Sequence, residues 1–111
     1  MKVSLPLGVD ILEWKKARSF YRTHRDRLSD WLTNEERRFV EKKEKPHEAF
    51  AMIFAAKEAA FKAFGRECRL VPVSSRLFGV EGRSRVAITV HRHRRHVVAC
   101  CLSVRQAGKP A

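Results

Sequence analysis

One segment in the middle of the chain limits its possible folds more than any other. Residues 47–64 are rich in alanine and phenylalanine, and the apolar side chains recur at helical spacing. Pro46 precedes the segment and suits the first turn of a helix, whereas Gly65 follows it and is a common helix stop. The pattern predicts a long helix with a broad apolar stripe. A chain of 111 residues must build its one core against that helix.

The chain before this helix predicts a short strand and two further helices. The second of these helices begins with the capping-box sequence from Thr33 to Glu36. The predicted elements are a strand over 3–12, a helix over 14–28 and a helix over 33–45.

The chain after this helix is rich in β-branched residues and predicts strands. The predicted features are strands over 71–73, 85–90 and 96–104, a turn at Glu81–Gly82, and a frayed tail over 108–111. A strand, then helices, then an antiparallel sheet predict an α+β fold, with helices packed on a small antiparallel sheet. We expect residues 1–111 to form a single domain.

The charge of the chain favours an anionic partner. Its 24 lysines and arginines outnumber its 12 acidic residues, which gives a net charge of +12. Nucleic acid, an anionic membrane, a phosphate-rich small molecule or an acidic protein would each be attracted. No apolar run is long enough for a membrane helix, and the N-terminus lacks the features of a signal peptide. We expect no membrane partner. Cys68, Cys100 and Cys101 suggest reduced thiols in a cytoplasmic protein.

Two carboxylates stand in unusual positions. Glu58 lies at the edge of the apolar stripe with Lys62 one turn later, and Asp10 lies between apolar residues of the first strand. The simpler interpretation is a solvated Glu–Lys pair on the helix and a separate carboxylate satisfied in a turn. The alternative is that Asp10 and Glu58 share Mg²⁺, which prefers oxygen ligands, while Lys62 holds a phosphate. The residues alone leave both interpretations open.

Three motifs resemble those of a known family. They are Gly8-Val9-Asp10-Ile11-Leu12-Glu13, Leu32-Thr33-x-x-Glu36, and Phe54-Ala55-Ala56-Lys57-Glu58-Ala59-Ala60-Phe61-Lys62-Ala63-Phe64-Gly65. Their order and spacing resemble the 4′-phosphopantetheinyl transferases of the holo-acyl-carrier-protein synthase type, over roughly residues 7–65. The resemblance implies Mg²⁺-dependent transfer of the phosphopantetheine arm of coenzyme A to a serine of an acidic acyl carrier protein. The sequence does not distinguish among fatty-acid, polyketide and other acyl carriers.

The resemblance also implies roles for individual residues. Asp10 and Glu58 would ligate the metal, and Glu58 and Lys62 would be catalytic. Either Glu58 or a water on the metal would take the serine proton. The expected contacts to coenzyme A phosphates are Lys57, Lys62 and Arg92. The expected contacts to the carrier are Lys15, Lys16 and Arg18. Relatives of this length form homotrimers with active sites shared between subunits.

The second half of the chain departs from the family pattern. Relatives have a further helix before the last hairpin, and the segment 69–90 is too short to hold it. Ile53 stands where relatives often carry arginine, and alignment of the last hairpin puts Arg92 at a histidine position of the family. Two alternatives therefore stay open: a degenerate module that binds the carrier without catalysis, and a basic nucleic-acid-binding protein.

The run from His91 to His96 also invites other interpretations. Its interleaved arginines would repel a transition metal. Few aromatic residues accompany it, which disfavours a nucleic-acid-binding hairpin.

Overall fold

The computed structural model describes residues 7–65, 68–73, 76–81 and 84–102. These residues form five strands, three α-helices and a 3₁₀ helix. The elements in chain order are β1 (Leu7–Glu13), α1 (Trp14–Thr23), a 3₁₀ helix (Arg25–Asp30), α2 (Asn34–Glu41), α3 (Pro46–Phe64), β2 (Arg69–Val73), β3 (Arg76–Glu81), β4 (Ser84–Arg92) and β5 (His96–Leu102). The expected α+β class is confirmed.

The five strands form one antiparallel sheet in the order β1-β5-β4-β3-β2. The first strand is therefore at an edge, and its neighbour is the last strand. Leu7 pairs with Leu102 at one end of this ladder, and Glu13 pairs with His96 at the other. The two ends of the described chain thus meet in the sheet.

Helix α3 packs across one face of the sheet. It begins with Pro46 and ends at Gly65, whose φ of 73° is left-handed and whose amide donates to the Phe61 carbonyl. A side chain at this φ would be strained, which explains why glycine ends the helix. The alanines in the middle of α3 are fully buried, and small side chains let a helix approach a sheet closely. The predicted central helix is confirmed.

An aromatic cluster joins α1 to α3. The Phe20 ring lies between Phe50, at 5.9 Å, and Trp31, at 5.0 Å, measured between ring centroids. Phe54 and His24 also contact Phe20. The cluster fixes the direction of α1 relative to α3.

Two helices end earlier than the sequence predicts. Helix α1 stops at Thr23, and the chain then continues as a 3₁₀ helix in which Arg27 leaves the helical region. Helix α2 stops at Glu41 because residues 41–45 are exposed and offer no apolar side chain to the core. After α1 the 3₁₀ helix still buries Leu28, whereas after α2 the charged sequence continues a helical pattern that no packing supports.

The strand β3 was not predicted from the sequence. It pairs with β2 on one side and with β4 on the other, so the segment after α3 forms a meander of strands. The described part of residues 69–92 contains no helix, in agreement with the shortened second half. The predicted tail, Gly82 of the predicted turn, and the predicted strand ends at 3–6 and 103–104 lie outside the described residues.

None of the helices in the described part of the chain is long and apolar enough to span a membrane.

Candidate functional site

The approach of β1 to α3 is set by Gly8. A Cβ atom at this position would collide with the Ala59 carbonyl and come within 2.8 Å of the Ala63 amide nitrogen. Any side chain would therefore push the strand away from the helix. Because Gly8 has no side chain, the next residues of β1 lie alongside the last turns of α3.

Lys62 bridges the two elements just beyond this contact. Its Nζ donates to the Val9 carbonyl at 3.2 Å and to Asp10 Oδ1 at 2.9 Å. The Asp10 side chain is 15% exposed and that of Lys62 is 53% exposed. The ammonium group has three donors. Two of them are engaged by β1, so one remains for a ligand.

Glu58 lies one helical turn before Lys62, on the same side of α3. It is half-buried and makes no hydrogen bond or ion pair with any described residue. Residues four apart on a helix have Cβ atoms about 5–6 Å apart, so Glu58 and the Lys62–Asp10 pair are neighbours. The structure thus brings the three principal predicted residues to one place.

These residues fit a magnesium ion. Magnesium is commonly held by one or two carboxylates together with water and substrate phosphates. Asp10 and Glu58 supply two carboxylates, and the charge of Lys62 would add to the attraction for a phosphate. Within the described ranges, no three potential ligands from His, Cys, Asp and Glu cluster together. A metal here would therefore depend on water and substrate for its other ligands.

Lys57 has a different environment from the one predicted. Its Nζ donates to Glu36 Oε1 at 2.7 Å, and its side chain is only 13% exposed. At 100° per residue it stands about 140° around α3 from Lys62. Lys57 is thus engaged by Glu36 on another side of α3 from Lys62, and its contact with a phosphate of coenzyme A stays a prediction. Its contacts make it a structural residue that holds α3 against α2.

Glu36 is the centre of this structural network. Its side chain is 0% exposed, and its two oxygens accept from Lys57 Nζ, from the Thr33 amide and, at 2.8 Å, from the Leu70 amide. The capping box predicted by the sequence is confirmed. No sequence pattern indicated that the same carboxylate also joins α3 and β2, because those partners are distant along the chain.

Arg92 lies at the opposite end of α3. Its guanidinium forms an ion pair with Glu48 and lies 5.3 Å from the centre of the Trp14 ring. Glu48 and Lys62 are separated by fourteen residues of α3, which is about 21 Å along the helix. Within one subunit, Arg92 and Lys62 therefore cannot hold the same phosphate.

The three predicted carrier contacts are not on one face. Lys15 stands about 60° from Arg18 around α1, whereas Lys16 stands about 160° away. Lys16 pairs with Glu13 at 3.4 Å. Lys15 and Arg18 have no ion pair among the described residues, so these two are the available cations.

A cleft opens beside Arg18. It has a volume of about 260 Å³ and lies between the start of α1, the start of α3 and the turn that joins β4 to β5. Its lining residues are Trp14, Arg18, His47, Glu48, Arg92, His93 and Arg94. Burial and the nearby charge of Arg18 lower the pKa of His47 below its usual value of 6.5, so its imidazole is neutral at pH 7.

The sequence did not predict this cleft. Trp14, His47 and Glu48 were not singled out, because they are far apart in the sequence and belong to no recognised motif. The one available signal was the alternation of histidine and arginine over residues 91–96.

Comparison with known proteins identifies the family. Residues 6–108 match the sequence model of the 4′-phosphopantetheinyl transferase superfamily, and the chain belongs to this superfamily. The expected family is therefore confirmed over almost the whole chain.

Individual relatives agree with this assignment. The chain is similar to the holo-[acyl-carrier-protein] synthase of Chlamydia trachomatis serovar L2, with 42% identity over 60 residues. That match covers 53% of this chain and 50% of the relative, so the chain spans about half the length of the curated relatives it matches.

Solved structures show the same fold. The holo-[acyl-carrier-protein] synthase of Neisseria meningitidis superimposes with a TM-score of 0.76 at 21% identity, covering 90% of this chain and 98% of that one. A synthase of Bacillus anthracis in complex with CoA (3′,5′-ADP) superimposes with a TM-score of 0.71 at 22% identity, covering 88% and 94%. Identities this low establish the fold alone.

Proposed function

We propose that the protein transfers the 4′-phosphopantetheine arm of coenzyme A to a serine of an acidic acyl carrier protein, with Mg²⁺ as cofactor. One observation carries this proposal. Asp10, Glu58 and Lys62 lie together at the junction of β1 and α3, and Lys62 is held by two oxygens of β1. This combination of two carboxylates and an oriented ammonium suits a metal-dependent reaction at a phosphate.

Each of these residues would have a distinct task. Asp10 and Glu58 would hold the ion, which when bound would neutralise the charge that develops on the pyrophosphate. Lys62, fixed by Val9 and Asp10, would place its remaining N–H donor on the same phosphate. Glu58 has no competing partner among the described residues, so its carboxylate is also available as the base for the serine hydroxyl.

Isosteric substitutions test these assignments. Asp10→Asn and Glu58→Gln preserve the side-chain volumes but remove the negative charges. Each should lower the rate of transfer at least about a hundredfold, since charge stabilisation of this kind contributes several kcal/mol. The assay is the intact mass of an apo carrier protein incubated with coenzyme A and Mg²⁺, with and without a chelator.

The assay includes a matched control, and two outcomes would contradict the proposal. Glu35→Gln changes an exposed carboxylate on α2 and should leave transfer unchanged. Full activity of both Asp10→Asn and Glu58→Gln would refute the metal site. If the parent protein binds the carrier saturably but never modifies it, the degenerate binding module is the better description.

We also propose that the protein assembles as a homotrimer. The outer face of the sheet, opposite α3, carries a row of exposed apolar side chains: Leu7 is 61% exposed, Val9 42% and Ile11 62%. Exposed apolar rows of this kind favour contact with another protein surface. An active site shared between subunits, which the family resemblance implies, would also allow Arg92 of one subunit and Lys62 of another to act on the same coenzyme A, which a single subunit does not do.

The trimer has a simple test. Sedimentation of the parent protein should give the mass of three chains, and Ile11→Lys should shift it to one chain by placing a charge in the apolar row. Ser29→Lys, at an exposed position of the 3₁₀ helix, is the matched control and should stay trimeric. A monomeric parent would refute the assembly.

Two further points belong to the same proposal. We take residues 1–111 as one phosphopantetheinyl transferase-like domain. We place its reaction in the cytoplasm, where Cys68, Cys100 and Cys101 would remain reduced.

A further inference from the structure

The side chain of Phe61 lies near the end of α3 but outside the core. It is 46% exposed, which is unusual for a phenylalanine of this chain. The other phenylalanines whose side chains the structure describes either belong to the core or pack against it. Phe61 makes no ring contact with any described residue. A large part of this ring is therefore accessible to a ligand.

The ring of Phe61 borders the residues proposed to act on the pyrophosphate. Phe61 follows Glu58 by three residues on α3, and residues three apart on a helix have Cβ atoms about 5–6 Å apart. At 100° per residue, Phe61 stands about 60° from Glu58 on one side, and Lys62 stands about 40° from it on the other. Glu58 thus lies between an anion-binding side of the site and an aromatic side.

The other aromatic rings near this face of α3 are already engaged. Phe54 stands two turns before Phe61, only about 20° away around the helix. Its ring packs against the core and contacts Phe20 and Phe50. Phe64 also packs against the core. Among the described residues of α3, Phe61 is therefore the aromatic ring that a ligand at the site could reach.

A ligand that contacts both sides of Glu58 must carry a phosphate close to a group that suits an aromatic ring. Coenzyme A carries adenosine on one side of its pyrophosphate and the pantetheine arm on the other. Adenine is planar and stacks well on a phenyl ring. The arm is a flexible chain with two amides, and it would lose more conformational freedom on binding. The chemistry of the ring therefore favours the adenine.

We propose that Phe61 stacks on the adenine base of coenzyme A and sets the affinity of the protein for the nucleotide half of its donor. The inference rests on the proposed function, in which coenzyme A is the donor and Lys62 contacts its pyrophosphate. It assigns the aromatic side of the site to the half that leaves as adenosine 3′,5′-bisphosphate, and not to the arm that is transferred.

The first test measures binding without transfer. Calorimetric titration of the full chain with adenosine 3′,5′-bisphosphate and Mg²⁺ reports on the nucleotide half alone. Phe61→Ala should raise the Kd about tenfold, whereas Phe61→Tyr keeps the ring and should stay within about twofold of the parent. Phe61→Leu restores apolar volume without a planar face, so it should bind nearly as weakly as Phe61→Ala. The Kd for 4′-phosphopantetheine should be the same in all four proteins.

The same titrations separate the inference from the proposed function. Equal Kd values for the bisphosphate in Phe61→Ala and in a parent that transfers the arm would overturn the inference alone. Weaker binding of 4′-phosphopantetheine alone would assign Phe61 to the arm and would also overturn it. So would a change in the sedimented mass of Phe61→Ala, which would make the ring a contact between subunits. A parent that binds neither the bisphosphate nor coenzyme A would overturn both proposals.

Steady-state kinetics provide a second test. A stack on the adenine is equally strong in the ground state and the transition state, so its loss should raise KM without lowering kcat. Phe61→Ala should therefore raise the KM for coenzyme A about tenfold and leave kcat and the KM for the carrier unchanged. A fall in kcat at unchanged KM would contradict the assignment.

A fluorescent ring at the same position gives a third readout. The parent contains only Trp14 and Trp31; the first lies beside Arg92, and the second packs against Phe20. Phe61→Trp adds an indole beside Glu58. Saturating adenosine 3′,5′-bisphosphate should quench this indole, because a stacked base quenches tryptophan fluorescence, and should change the parent's emission little. Equal quenching in the two proteins would overturn the proposed stack.

Discussion

The two ends of α3 use charge in different ways. At the end near Gly65, Lys62 is held by β1 and Glu58 has no partner among the described residues. At the end near Pro46, Glu48 is paired with Arg92. The first end keeps a carboxylate and an N–H donor available for ligands, whereas the second uses its carboxylate to fix the shape of a basic cleft.

The difference shows how one helix can serve two purposes. Its middle is buried and is tied to α2 and β2 through Lys57 and Glu36. Because these contacts hold the middle of α3 in place, the two ends of the helix keep a constant separation. Five substitutions would break or sharpen the comparison, and they follow in order of expected effect.

Lys57→Met should have the largest effect, because it leaves the Glu36 carboxylate buried without its cation. Breaking a buried pair in this way costs about 3–5 kcal/mol. We expect the free energy of unfolding to fall by about that amount, as measured by denaturant titration. A loss below about 1 kcal/mol would mean that the amides of Thr33 and Leu70 satisfy Glu36 by themselves.

Gly8→Ala should damage the end of α3 that carries Lys62. The new Cβ meets backbone atoms of α3, which cannot yield as a flexible side chain would, so we expect a loss of about 3 kcal/mol. Transfer should be lost as well, because β1 would move Asp10 away from Lys62.

Gly65→Ala is the matched control for Gly8→Ala. Apart from its chain neighbours and the backbone of its own helix, no atom of the described residues lies within 4 Å of its new Cβ, so only the left-handed backbone is strained. The expected cost is about 1 kcal/mol, with transfer retained. Equal losses of stability in the two variants would show that close packing at Gly8 does not set the position of β1.

Glu48→Gln should have a small effect on stability at the other end. The Arg92 side chain is 59% exposed, and exposed ion pairs contribute less than about 1 kcal/mol. Thermal unfolding should therefore barely change. A large loss of stability would show that this end of α3 depends on its ion pair as strongly as the middle depends on Glu36.

The prediction with the smallest expected effect concerns the pKa of His47. Burial and the charge of Arg18 hold this pKa below 6.5, so Arg18→Gln should raise it, as followed by NMR titration. The neutral imidazole is favoured by the fold, so its contribution to stability is present above pH 6.5 and is lost as the pH falls through the lowered pKa. An unchanged pKa would show that burial alone lowers the pKa of His47.

The sequence predicted the parts of this molecule that local patterns determine. The helix between Pro46 and Gly65, the capping box at Thr33 and the family all follow from adjacent residues. Asp10, Glu58 and Lys62 were selected because the motifs place a carboxylate in an apolar strand and another at the edge of an apolar stripe. The structure brings these three together, and their roles in metal binding and catalysis remain predictions.

The remaining features depend on contacts between distant residues. Lys57 and Lys62 carry the same charge in the same motif. They differ because Lys57 pairs with the buried carboxylate of Glu36, which no local pattern reveals. The cleft forms only because Trp14 contacts the turn at residues 93–95, which lies far from it along the sequence. Strand β3 depends on pairing on both sides, and its own short sequence indicated no strand.

The position of β1 at the edge of the sheet has a consequence for synthesis of the chain. Leu7 is among the first described residues to be made, yet its sheet partner Leu102 is among the last. Contacts so distant in sequence form slowly, and on the ribosome β1 must wait for β5 to emerge. The strand that carries Asp10 therefore gains its hydrogen-bonded neighbour only after residues 96–102 have been made, and a shorter nascent chain would not yet hold the finished site.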